Sequence, residues 1–235
     1  MKDPDSPSEI VTPEDFARKF QVSRETLGRL NLYESLLRRW QPAVNLIAPA
    51  TLPQIWGRHF TDSAQLAALV PDSARSLVDL GSGAGFPGLV LAIMLHADQT
   101  GAGSGHGDNS RLGKALSRVI LVESDTRKAA FLREVARQTG VPVEILSIRI
   151  ENPTTQLKVG QVDVVTARAL APLDRLLALA APLFGAETVG LFLKGQDARA
   201  EIETARKQWS FEVSLVPSVT DARASTAVIR RLEAK

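Results

Sequence analysis

The stretch that most constrains this chain runs from Leu77 to Ile93. Leu77-Val78-Asp79-Leu80 is an apolar run carrying one acid, and Gly81-Ser82-Gly83-Ala84-Gly85-Phe86-Pro87-Gly88 follows it. Leu89-Val90-Leu91-Ala92-Ile93 then leads out. That order predicts a buried strand, a glycine-rich turn and an apolar helix. Glycine permits positive φ and lets backbone come within contact distance of a ligand. Pro87 suits the first turn of the helix, where its missing N–H costs nothing. Free amides at that helix start, with the dipole, face whatever lies over the turn.

Two kinds of ligand suit such a turn. A dinucleotide fingerprint needs G-x-G-x-x-G, its third glycine serving close helix packing. Counted from Gly81, the sixth position is Phe86, a bulky ring where that glycine belongs. The pattern present is Asp79-x-Gly81-x-Gly83-x-Gly85, an acid two residues before three alternating glycines. It resembles motif I of S-adenosylmethionine-dependent methyltransferases, where the turn passes the methionine part of the cofactor. A tight turn that binds nothing is the bland alternative, because a lone glycine motif is weak evidence.

At 235 residues the chain holds one large domain, or one domain with an appendage. An apolar share of 44% and a charged share of 23% fit an ordinary soluble globular protein. No apolar run approaches the ~20 residues of a membrane span. The polar start Met1-Lys2-Asp3-Pro4-Asp5-Ser6-Pro7 has no signal-peptide core, so a cytoplasmic location is expected. The absence of cysteine excludes disulfides, thiolate zinc sites and covalent cysteine catalysis, base C5 methylation included. His59, His96 and His106 show no metal-ligand spacing, so no metal is expected. Lys and Arg total 28 against 26 for Asp and Glu. With charge so balanced, any case for nucleic acid rests on where individual arginines and lysines stand.

Residues 1–75 read as an N-terminal helical cap. After a frayed start, Thr12-Pro13-Glu14-Asp15 has the form of an N-cap with proline at N1 and acids in the first turn. Ser23 caps a helix running to about Trp40, with Leu27, Leu30, Leu37 and Trp40 on one core-facing stripe, and Pro42 is expected to end it. Val44–Ala48 has strand or turn character. Further helices are expected over Pro53–His59 and Asp62–Leu69, the latter capped by Asp62 or Ser63.

Residues 76–235 alternate strands with helices, the signature of a parallel sheet. Strands are expected at Leu77–Leu80, Val119–Val122, Val143–Leu146, Val162–Thr166 and Thr188–Leu193. Helices are expected at Gly88–Leu95, Thr126–Gln138, Pro172–Pro182 and about Ala198–Lys207. Two late strands, Trp209–Val216 and Ala227–Leu232, have no helix between them and so form an antiparallel pair. The interval 98–117, rich in glycine and poor in apolar residues, reads as a mobile insertion. It lacks the Gly-Lys-Ser/Thr ending of a phosphate loop.

Ligands of open α/β sheets lie beyond the carboxyl ends of the strands, near the switch in strand order. After the second strand stands Glu123, placed to accept ribose hydroxyls. It lies 38 positions beyond Gly85, against the ~20 usual for such a unit, and removing the insertion restores that spacing. After the third strand, Ser147-Ile148-Arg149-Ile150-Glu151 offers an apolar residue and amides to an adenine. After the fourth comes Arg168, where amino-group methyltransferases usually place an Asn/Asp-Pro-Pro-aromatic motif. Arg168 carries a fixed charge and cannot act as a base. Nucleophile–base pairs are likewise lacking at these strand ends, as suits transfer to an unprotonated ring nitrogen, which needs orientation and electrostatics only. Lys194, in Phe192-Leu193-Lys194-Gly195-Gln196, is a second cation able to hold a phosphate or base edge, or else a structural ion pair.

Taken together, Trp40 with Asn45-Leu46, Arg58-His59-x-x-Asp62-Ser63, Asp79–Gly88, Arg149-Ile150-Glu151, Ala167-Arg168-Ala169 and Leu193-Lys194-Gly195-Gln196 resemble the RsmG (GidB) family. Its members are bacterial methyltransferases of guanine N7 in 16S ribosomal RNA. The resemblance implies a Rossmann-like class I S-adenosylmethionine-dependent methyltransferase with an N-terminal helical extension. By similarity, S-adenosylmethionine meets Asp79, Gly81, Gly83, Gly85, Phe86, Glu123, Ile150, Glu151 and Arg168. Arg168 and Lys194 serve the transfer, and Arg149, Lys194 and Arg223 face RNA of the small ribosomal subunit. RNA affinity should fall steeply with salt. The chain departs from the family in its insertion and in Asp221-Ala222-Arg223-Ala224, where the family often has histidine after the arginine. His59 either helps close the site or ties the helical cap to the sheet. A monomer without membrane or metal is the expected assembly. The competing readings are a nicotinamide-dependent oxidoreductase, a non-catalytic RNA-binding protein, and a methyltransferase of another RNA, a protein or a small molecule.

Overall fold

Alternation of apolar strands and amphipathic helices has one economical outcome, a parallel sheet covered on both faces. A computed structural model describes residues 12–96 and 115–235. The first 11 residues, expected to fray, lie outside the described residues, as does most of the insertion. The strands are β1 (Ser76–Leu80), β2 (Arg118–Val122), β3 (Glu144–Leu146), β4 (Val162–Arg168), β5 (Phe184–Lys194), β6 (Trp209–Pro217) and β7 (Ser225–Ala234). They form one seven-stranded sheet in the order β3-β2-β1-β4-β5-β7-β6. Strands β1 to β5 pair in parallel, while β7 runs antiparallel between β5 and β6. Strand order reverses between β1 and β4, so a crevice opens beside the glycine turn.

The helices of the sheet half are α4 (Gly88–Leu95), α5 (Thr126–Thr139), α6 (Pro153–Val159), α7 (Leu173–Ala180) and α8 (Ala198–Ala205). Alternate strand residues feed two apolar layers. Leu77, Leu121 and Val164 pack with α4 and α5, and Val78, Ile120 and Val165 pack with α7 and α8. Helix α6 was not anticipated, although Asn152 caps it and Pro153 opens it in the expected manner. Leu116 already belongs to the fold: it is buried, and its N–H donates to the Leu95 carbonyl. The expected insertion boundary at 117 is therefore too late.

The helical lead-in contains α1 (Pro13–Phe20) and α2 (Arg24–Val44), capped by Thr12 and Ser23 as their sequence predicts. Pro42 does not stop α2. A proline in the last turn forfeits a single backbone bond, and Gln41 secures the exit instead. Its Oε1 accepts from the N–H groups of Leu46 and Ile47, and its Nε2 donates to the Ile47 carbonyl. The next stretch is one irregular helical run, 3-10 over Pro49–Gln54, π over Ile55–Phe60, α3 over Thr61–Ala64, and 3-10 again over Gln65–Ala68. Neither Asp62 nor Ser63 caps it, since the chain enters α3 already helical. Phe16, Leu30, Tyr33 and Phe60 share one hydrophobic cluster with Leu77, Leu89 and Phe131, so cap and sheet are packed as one body.

Candidate active site

The turn after β1 takes positive φ at Gly81 (68°), Gly83 (56°) and Gly85 (97°), a backbone path that side chains resist. Space also matters at Gly88. A Cβ there would lie 2.5 Å from Asp79 Cβ and 2.7 Å from Leu121 Cδ2. Gly88 thus supplies the close helix–strand packing that a dinucleotide fingerprint assigns to its third glycine. That frees Phe86 for another task.

The Phe86 ring is buried and points into the helical cap rather than toward the turn's open side. Tyr33 stacks on it at 5.4 Å and His59 at 5.1 Å, Phe60 meets it edge-on, and the Arg168 guanidinium lies 5.1 Å from its centroid. The Tyr33 hydroxyl donates to the Ala84 carbonyl, so α2 holds the glycine turn directly. Tyr33 escaped the sequence reading, although it falls on the α2 stripe between Leu30 and Leu37.

Asp79 lies beneath the turn with no solvent exposure. One oxygen accepts from the Thr166 hydroxyl at 2.7 Å, while Oδ2 has no partner. Burial pushes this carboxyl up to about 6, against the hydrogen bond from Thr166 and the charge of Arg168. Glu123 accepts from the N–H groups of Gly83 at 2.8 Å and Asp125 at 2.7 Å, tying the turn to the start of α5. Each oxygen keeps a second acceptor site. The cap of α5 is Asp125, whose side chain accepts from the N–H groups of Arg127 and Lys128.

Arg168 ends β4 just before Ala169, whose φ of 52° turns the chain sharply. Its Nη2 donates to His59 Nδ1 at 2.9 Å. Because arginine can only donate, Nδ1 must be unprotonated, and Nε2–H donates to the Thr51 hydroxyl at 2.8 Å. Thr51 in turn donates to the Ala48 carbonyl. Burial and the charges of Arg168 and Arg58 push His59 down to about 3, so it stays neutral. Among the described residues no carboxylate forms an ion pair with Arg168, although the charges of Asp62 and Asp79 act on it.

Lys194 departs from the expectation of a cation facing RNA. Its side chain is 7% exposed, and Nζ donates to Glu201 and to the Ala171 carbonyl, each at 2.8 Å. As placed, it braces the β4–α7 connection against α8. Arg149 and Arg223 are exposed, Arg223 on the β6–β7 loop beside Asp221. Ile150 is half-buried and Glu151 exposed beyond β3.

A cleft of about 540 Å³ opens between the irregular helical run, the ends of β4 and β5, and the β6–β7 loop. Arg58, Asp62, Arg168 and Thr220 are among its walls. It adjoins the glycine turn through Arg168, which touches both. Among the described residues no group of histidines and acids is arranged to hold a metal.

The family model for GidB, rRNA small subunit methyltransferase G, matches residues 26–229, both the cap and the sheet. The chain belongs to the GidB family. It is 50% identical over 224 residues to a Ribosomal RNA small subunit methyltransferase G of Parvibaculum lavamentivorans, covering 95% of this chain and 91% of that one. A relative with the same description from Paramagnetospirillum magneticum is 51% identical over 209 residues, 89% of this chain and 90% of its own. Among solved structures, the SAH-bound methyltransferase PaMTH1 of Podospora anserina superposes with a TM-score of 0.56 at 15% identity, covering 86% of this chain and 87% of that one. That likeness concerns the fold. It is the fold expected for GidB sequences, a Rossmann-like class I methyltransferase with a helical extension. No described helix is long and apolar enough to cross a membrane.

Proposed function

We propose that this chain methylates N7 of a guanine in 16S ribosomal RNA of the small ribosomal subunit, with S-adenosylmethionine as donor. The observation that carries the reading is the family match across 26–229, which spans the cleft lining apart from Lys19 as well as the glycine turn.

The residues present fit that cofactor. Gly81, Gly83 and Gly85 leave the turn without side chains, and Glu123 retains acceptor capacity for ribose hydroxyls. Arg168 is a half-buried cation held by His59 rather than by an ion pair, suited to the cofactor carboxylate. Ile150 and Glu151 stand at the end of β3, where an adenine lies in sheets of this kind. Asp79 acts from below the turn and Phe86 from behind it. S-adenosylmethionine supplies an electrophilic methyl when bound.

The acceptor enters by the cleft. N7 of guanine has a lone pair and no proton, so no general base is required. The protein's work is to align the acceptor and to exclude water. Arg149 and Arg223 supply phosphate contacts, which position without reading sequence. Lys194 holds the cleft wall from inside.

The deciding assay is methyl transfer from labelled S-adenosylmethionine to small subunits isolated from cells lacking this protein. Borohydride–aniline cleavage then locates N7-methylguanine. One new cleavage in 16S rRNA supports the reading. Label without cleavage discards N7, and no label in RNA discards the rRNA substrate.

A further inference from the structure

Asp62 stands in the cleft wall with its two carboxylate oxygens in unlike situations. Oδ1 accepts from Thr220 Oγ1, from Ser218 Oγ at 3.3 Å and from Gln65 Nε2 at 3.2 Å. Gln65 Oε1 accepts from the Val219 N–H at 3.0 Å, so the helical cap and the β6–β7 loop are latched around one oxygen. Among the described residues no hydrogen bond reaches Oδ2, and the half-buried side chain faces the cleft within the field of Arg168. The latch therefore fixes the orientation of a carboxylate whose other oxygen is left for a ligand.

The rest of the lining sharpens the point. The other acid, Asp221, has both oxygens on Arg223. Arg58 and Arg168 are donors, and Lys194 is held by Glu201. Asp62 Oδ2 is thus the one strong acceptor that the described lining keeps uncommitted. Enzymes acting on single bases read the Watson–Crick edge of an extruded nucleotide by hydrogen bonds. Guanine presents two adjacent donors there, N1–H and the N2 amino group, beside the O6 acceptor. Adenine presents one donor beside a bare ring nitrogen, which a carboxylate repels.

We propose that Asp62 selects the target guanine, its Oδ2 accepting from the N1–H and N2–H edge while N7, on the opposite side, is turned toward the methyl donor. This rests on the guanine N7 reading given above. Arg58 is placed on the same wall to donate to O6.

The same contact favours the reaction as well as the base. When the N7 lone pair takes the methyl group, sulfur keeps the electron pair of the broken C–S bond, and positive charge passes to the purine. N1–H and N2–H become stronger donors as that charge grows. A fixed carboxylate on that edge binds the transition state more tightly than the ground state, which raises kcat.

The test separates the reading oxygen from the latching one. Asp62→Asn keeps an acceptor at Oδ1 for the latch and turns Oδ2 into a donor. Thr220→Val removes a latch donor and leaves Oδ2 untouched. On small subunits lacking the modification, kcat of Asp62→Asn should fall about a hundredfold, the scale of losing one transition-state hydrogen bond. Thermal midpoint, cofactor affinity and KM should hold. Thr220→Val should keep most of its kcat. Wild-type protein is assayed in parallel on subunits reconstituted with inosine at the target, which retains N7 and lacks the amino group. Its kcat/KM should be lower by about tenfold or more. An Asp62→Asn kcat close to wild type, an equal loss in both variants, or inosine as good as guanine overturns the proposal. Failure of wild-type protein to methylate N7 refutes the function itself, and that result is read before any variant is made.

Discussion

The packing of Gly88 against β1 and β2 gives a sharp quantitative test. In Gly88→Ala the new methyl carbon would lie 2.5 Å from Asp79 Cβ, 2.8 Å from Asp79 Cγ and 2.7 Å from Leu121 Cδ2. Asp79 and Leu121 are both fully buried on paired neighbouring strands, so neither can withdraw without moving the sheet. Overpacking of this kind costs about 1–3 kcal/mol. Contacts this short take the upper part of that range, about 2–3 kcal/mol. Alanine returns at most about 1 kcal/mol of helix preference over glycine, so the net loss is about 1–2 kcal/mol. At about 2–4 °C per kcal/mol for a chain of this size, the thermal midpoint should fall by roughly 2–8 °C. The start of α4 should also move off the glycine turn, weakening affinity for S-adenosylmethionine. Gly28→Ala is the control, because a Cβ on that exposed residue inside α2 meets nothing within 4 Å. It should stabilise by about 0.5–1 kcal/mol and leave affinity unchanged. Urea denaturation of the free protein and calorimetric titration with S-adenosylmethionine measure both quantities. A Gly88→Ala protein as stable as wild type, with intact affinity, would refute the packing argument.

Two further outcomes follow from the buried groups behind the turn. The Asp79 carboxyl moves from an ordinary value of 3.8 to about 6 on folding, so the native state binds its proton more tightly than the unfolded chain. Its contribution to stability is therefore full below about pH 4 and lost as pH rises through about 6, roughly 3 kcal/mol at ~1.4 kcal/mol per pH unit. Asp79→Asn should lack that slope, and a wild-type-like pH dependence in the variant's urea midpoint would contradict it. His59→Phe keeps a ring over Phe86 but leaves Arg168 without its acceptor, so S-adenosylmethionine affinity should drop about tenfold or more. His59→Asn offers an amide oxygen near the Nδ1 position and should recover most of it; equal losses in the two variants would show that ring packing alone matters.

Much of the fold was legible because each element carries its own local signal. The strand–glycine–helix unit, the alternation after residue 76, the caps Thr12 and Ser23 and the late antiparallel pair are all written in neighbouring residues. Pro42 misled because one lost backbone bond in a last turn is outweighed by Gln41, whose three bonds depend on how the chain exits. The run from Pro49 to Ala68 is helical where helices over Pro53–His59 and Asp62–Leu69 are expected, but its succession of 3-10, π and α turns has no local signature. Ile55, Trp56 and Phe60 are pinned in the core shared with the sheet, and the turns adjust to that packing.

At the site the same division holds. Residue identity and spacing placed Gly81, Gly83, Gly85, Glu123 and Arg168 at the carboxyl ends of their strands, since strand direction follows from the alternating pattern. Spacing could not say that Lys194 would be spent on Glu201, that Tyr33 would clasp Ala84, or that His59 would hold Arg168 neutral-handed between Phe86 and Thr51. Nor could it show that Asp62, which looks like a helix cap, is instead shared between a latch and an open cleft. Tyr33 and Ala84, His59 and Arg168, and Asp62 and Thr220 lie 51, 109 and 158 residues apart. Even Glu201, seven residues from Lys194, reaches it only because the chain turns back into α8. Local chemistry decides which elements form, whereas the pairing of a buried charge is decided only when burial removes water and leaves whatever polar group packing has brought within reach.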